Sequence, residues 1–114
     1  MTAVNLAYAD EAIHIRELAP LTARDIATAT GAGLSTVEAW LARLRAPRGA
    51  RAQRLLELAA IVEQAARVLR PEAIPVWLNK PVPALHHDKP VELIARGEYR
   101  RVAELLAELE TPTF

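Results

Sequence analysis

Apolar residues along this chain recur three and four positions apart, and strict alternation is nowhere sustained. That spacing lines one face of a helix and argues against strands, so it predicts an all-α fold. The clearest helix is expected over residues 50–69, where Leu55, Leu58, Ala59, Val62, Ala65, Ala66 and Leu69 form one stripe. A weaker helix covers 8–18, with Ala9, Ala12, Ile13 and Leu18 inward, preceded by residues 1–7 that are expected to fray. Pro20 closes it. Thr22 then has the character of an N-cap, and Asp25 completes an approximate capping box. The helix it opens reaches Thr30, Gly31-Ala32-Gly33 turns the chain, and Gly33 or Ser35 caps a third helix running to about Leu44. Pro47 and Gly49 mark a linker.

After the long helix, Pro71 redirects the chain and a short helix is expected over 72–78, with Pro75 restricting its start. Pro81, Pro83 and His86-His87-Asp88 read as a loop. Pro90 suits the first position of the next helix, where its missing N–H costs nothing. Gly97 suits the left-handed position that ends that helix. A last helix over 98–110 would bury Val102, Leu105, Leu106 and Leu109, and residues 111–114 form a tail. No internal repeat is visible. The organisation is thus a helix-turn-helix unit over 1–49 and a second helical unit over 50–114.

With 114 residues the chain fits one domain or two very small ones. Aromatic residues make up only 4% against 52% hydrophobic, so the core must be aliphatic. The absence of cysteine excludes disulfides, thiolate metal sites and cysteine nucleophiles. It fits a cytoplasmic location. No apolar run is long enough for a membrane span, and no secretory signal pattern opens the chain. The formal charge is zero but unevenly spread. Arg43, Arg45, Arg48, Arg51 and Arg54 follow one another without an acid, whereas Glu104, Glu108 and Glu110 follow Arg101 without a base. A basic middle and an acidic end suit two different partners, or two solvated faces.

The second and third helices have helix-turn-helix spacing. Ala27 is small where the helices approach, Gly31 provides the turn, and Ile26, Val37 and Trp40 point inward. Residues 30–41, TGAGLSTVEAWL, resemble the Xre-type repressor pattern. The groove-facing set would be Leu34, Ser35, Thr36, Glu38, Ala39 and Arg43. Ser35 and Thr36 suit phosphates or bases, and Arg43 a guanine edge or a phosphate. Glu38 would repel the backbone unless it reads a cytosine. Arg24, Arg45, Arg48 and Arg51 would be phosphate contacts that make binding salt-sensitive. The alternative is a packing unit that does not bind DNA.

Catalytic and metal chemistry finds no support. Neighbouring His86 and His87 do not converge on one ion, His14 is remote, and a solvated loop is the better reading. There is no phosphate-cradling glycine loop, and Ser35, the only serine, has no histidine and acid in suggestive order. No enzyme, cofactor or metal is expected.

Trp77 and Tyr99 are large flat side chains in a chain with few, suited to a core or an interface. Trp77-Leu78, Leu85, the Lys89-to-Ile94 run KPVELI, Gly97, Glu98-Tyr99 and Val102, behind a helix-turn-helix, resemble the Xre/MbcA/ParS family of antitoxins. On the residues alone, Trp77, Leu85, Leu93, Ile94 and Val102 are the core of a helical subdomain. The resemblance implies a type II antitoxin that pairs with a RES-type, NAD-destroying toxin and represses its own operon. It also implies self-association and a toxin–antitoxin hetero-oligomer. Carried over, the last helix and tail would obstruct the toxin active site, through Glu98, Tyr99, Arg101, Leu105 and Glu108, then Thr111, Pro112, Thr113 and Phe114. Phe114 is either a plug with a free carboxylate or a frayed end. The competing reading of the whole chain is a stand-alone helix-turn-helix regulator without a toxin.

Overall fold

The computed structural model describes residues 6–111, which form seven α-helices and one 3-10 turn and contain no strand. The helices are α1 (Ala7–Leu18), α2 (Ala23–Thr30), α3 (Leu34–Leu41), α4 (Gly49–Ala65), α5 (Ala73–Leu78), α6 (Pro90–Ala95) and α7 (Tyr99–Glu110). The 3-10 turn, Pro83–Leu85, lies between α5 and α6. The all-α expectation therefore holds. No helix among the described residues is long and apolar enough to cross a membrane.

The stripe on α4 makes it the axis of the molecule. Leu55, Leu58, Ile61, Val62 and Ala65 are fully buried, and α1, α2, α6 and α7 all pack on this helix. Each large aliphatic side chain buried this way contributes about 1.5–3 kcal/mol. One core runs from Ala12 in α1 through Trp40 in α3 to Leu106 in α7. It crosses residue 49/50 without a break, because α2 packs on both α4 and α6. Polar ties reinforce this. Asn79, at the end of α5, donates to the Asp25 carboxylate at 3.0 Å, and Gln64 on α4 donates to the Ala103 carbonyl of α7 at 2.9 Å.

Local chemistry sets most helix ends where they were expected. The Thr22 hydroxyl accepts from the Asp25 N–H at 3.1 Å, and the Asp25 carboxylate accepts from the Thr22 N–H at 2.9 Å, a complete capping box. Gly31 takes φ +78 and closes α2. Pro90 occupies the first turn of α6. Gly97, at φ +81, ends α6 in a Schellman arrangement, with Glu98 N–H on the Leu93 carbonyl and Gly97 N–H on that of Ile94.

Several expectations are corrected. Helix α3 stops at Leu41 rather than about Leu44, because Arg43 takes φ +61. Leu44 N–H then bonds the Ala39 carbonyl at 2.9 Å and Arg43 N–H that of Trp40 at 3.0 Å, the same closure made without glycine. Gly33, not Ser35, is the N-cap of α3. The residues read as a linker include a buried Pro47, and α4 ends at Ala65 with Ala66 exposed and Leu69 half-buried. On α1 Ala9 and Ala12 are fully buried as expected, but the third fully buried residue is Ile15, whereas Ile13 and Leu18 are half-buried. On α7 Val102 and Leu106 are inside, Leu105 is half-buried and Leu109 is exposed. Trp77 is only half-buried, and so is Tyr99; the buried tryptophan is Trp40, at 2% exposure. The expected fraying of residues 1–7 falls partly outside the described residues, since α1 already begins at Ala7.

Candidate functional site

Two surfaces gather the residues singled out from the sequence. The first is built by α3, the turn after it and the start of α4. The inward positions Val37 and Trp40 are buried and Ala27 is half-buried, which turns the other face of α3 outward. Ser35 and Glu38 are exposed there, Leu34 is 40% exposed, and Thr36 and Ala39 are half-buried. Arg24 is exposed on α2. Arg45, Arg48 and Arg51 are exposed around a hollow of about 440 Å³ backed by Trp40 and Pro47. Among the described residues none of these three arginines meets a carboxylate, so their charge is open to an anionic partner. Arg43 differs, since it forms an ion pair with Asp10 of α1.

The second surface is α7 with the 3-10 turn beside it. Leu78, Leu85, Leu93 and Val102 are buried and hold this region on the core. Glu98 and Arg101 are half-buried at the start of α7. The Arg101 guanidinium donates to the Glu98 carboxylate and to the Leu85 carbonyl, both at 3.5 Å, and lies 3.9 Å from Asp88. Arg96 bridges Asp88 at 3.1 Å and Glu98 at 3.0 Å, and these hydrogen bonds, first from Glu98, raise its pKa. At the far end Arg67, in the turn after α4, donates to Glu110 through Nε and Nη2, at 2.6 and 3.3 Å, which raises the pKa of Arg67 likewise. Glu108 and Thr111 are exposed. Pro112, Thr113 and Phe114 lie outside the described residues. Leu105 and Glu108 share a cleft with Leu85, His86, Arg101 and Glu104. Glu104 belongs, with Glu108 and Glu110, to the acidic end that the family resemblance offers as a partner for basic groups of a toxin; it lies one turn before Glu108.

The structure also brings together residues that the sequence left apart. Glu11 and His14 of α1 and Glu63 of α4 place a ligand atom each within 4.8 Å of one another, on the surface. His14 and Glu63 are 3.4 Å apart. An ion-pair cluster at the surface accounts for this grouping.

No family model matches the chain. It is 33% identical over 94 residues to the mycobacterial cidal antitoxin MbcA of Mycobacterium bovis and of Mycobacterium tuberculosis, covering 82% of this chain and 83% of each relative. Its fold superposes with a TM-score of 0.84 on a chain in the crystal structure of the M. tuberculosis MbcT–MbcA toxin–antitoxin complex. That match has 32% identity and covers 97% of this chain and 99% of the other. With this identity along most of its length, the chain belongs to the MbcA family of antitoxins.

Proposed function

We propose that the chain neutralises a cognate toxin by direct binding, through α7, the neighbouring turn and the tail. The observation that carries this is the match, over nearly the whole chain, to a complex described as toxin and antitoxin. Such a protein acts by occupying a surface and not by catalysis. The finer reading is that the toxin is of the RES type and degrades NAD, and that Glu98, Tyr99, Arg101, Leu105, Glu108 and residues 111–114 obstruct its active site. It rests on the family resemblance, and it is supported by an α7 on which, among the described residues, exposed Glu104 and Glu108 meet no cation.

We further propose that α2 and α3 form a DNA-reading helix-turn-helix within a unit spanning 1–49, and that the antitoxin represses its own operon. Three exposed, carboxylate-free arginines at the α3–α4 junction support this, as backbone contacts that position rather than specify. Self-association would use α1 or α4, where Tyr8 and Leu56 are each 39% exposed.

The test is co-expression with the product of the neighbouring gene and purification through a tag on this chain. The neighbour is expected to co-purify and to be toxic when expressed alone. If it does neither, the antitoxin role falls, and operator binding without a partner would establish a stand-alone regulator.

A further inference from the structure

The 3-10 turn and α7 enclose a cleft of about 190 Å³. Its floor is apolar, formed by Leu85 at 3% exposure and half-buried Leu105. Glu104 and Glu108 line one wall, one helical turn apart, and among the described residues neither meets a cation. Among the described residues the rim carries His86 and one arginine, Arg101, which is already engaged by Glu98, the Leu85 carbonyl and Asp88. Like charges four residues apart on a helix repel, so this pair works against α7 in the free protein. A cation between them would remove that penalty.

The volume limits what the cation is. Sites for small molecules and cofactors usually enclose roughly 300–1,000 Å³, so this cleft suits a single side chain better than a nucleotide. An apolar floor with acids at the mouth matches a long aliphatic stem that ends in a charge. Two carboxylates on adjacent turns suit the planar fork of arginine better than the point charge of lysine. We propose that this cleft is the socket for one basic side chain of the toxin, an arginine for preference, and that Glu104 and Glu108 are its anchors. The proposal rests on the toxin-binding reading above and names the chemistry by which the partner is held.

The test compares three full-length proteins against the purified toxin by titration at two salt concentrations: wild type, the double variant Glu104→Gln/Glu108→Gln, and a control, Glu17→Gln/Glu72→Gln. The control removes the same charge from exposed positions outside the cleft. Glutamine keeps the shape of each side chain and relieves the repulsion, so the cleft variant stays folded, which circular dichroism checks. The expected result is an affinity loss of about tenfold or more for the cleft variant, with a weaker salt dependence, and less than about twofold for the control. A cleft variant within about twofold of wild type, or a control that loses as much, overturns the socket while leaving toxin binding intact. A wild-type protein that does not bind overturns both.

Discussion

Arg43 is asked to do two things at once. Its backbone sits at φ +61 to close α3, a conformation that costs an ordinary residue about 1–2 kcal/mol. Its guanidinium pairs with Asp10, an exposed pair whose typical value is about 0–1 kcal/mol. Arg43→Gly removes the strain together with the pair, whereas Arg43→Ala removes only the pair. The glycine variant should therefore be more stable than the alanine variant by about 1 kcal/mol in urea unfolding; equal stabilities would show that the left-handed turn stores no strain. The two tryptophans separate in the same way. Trp40→Ala removes a side chain only 2% exposed and should cost about 3–5 kcal/mol. Trp77→Ala, at a half-buried position, should cost distinctly less. Equal losses would mean that Trp77 is a core anchor after all.

Helix α2 shows how local signals and tertiary contacts divide the work. Thr22→Ala removes the hydroxyl half of the capping box and should cost about 1 kcal/mol, read as a lower urea midpoint at unchanged slope. A change below the error of the midpoint would put α2's stability wholly in its packing. Such punctuation was legible: the Thr22 cap, the turn at Gly31, Pro90 opening α6 and Gly97 ending it all act through one residue's own backbone chemistry. The end of α3 was not, because a closure made by Arg43 carries no glycine to announce it. Nor was the end of α4, where Ala66, Arg67, Val68 and Leu69 are compatible with a helix and yet form a turn, in which Arg67 and Val68 bond to the third residue back. On α7 Leu105, Leu106 and Leu109 look alike in sequence, and the seat of that helix on α4 and α6 decides that Leu106 is the buried one. The two candidate surfaces were legible as charge runs. The cleft was not, since it joins Leu85 to Glu104 and Glu108 across the chain.

At the scale of the molecule, one core serves both surfaces. The helices of 1–49 and those of 50–114 share α4, and α2 reaches α6 directly, so each half buries apolar surface against the other. A protein of this size with a continuous core should unfold in one cooperative step. The two tryptophans provide the reporters: Trp77→Phe leaves the Trp40 signal inside 1–49, and Trp40→Phe leaves the Trp77 signal inside 50–114. In each variant the fluorescence midpoint in urea should coincide with the far-UV circular dichroism midpoint. If either signal runs ahead of the loss of helix, the halves are separate folding units and the shared core does not couple them. Coincidence has a consequence for regulation. A ligand at 100 times its Kd stabilises the state it binds by about 2.7 kcal/mol, and in a single cooperative unit that gain protects every helix equally. A toxin held on α7 would then raise the unfolding midpoint reported by Trp40 as much as that reported by Trp77, which links occupancy of one surface to the persistence of the other.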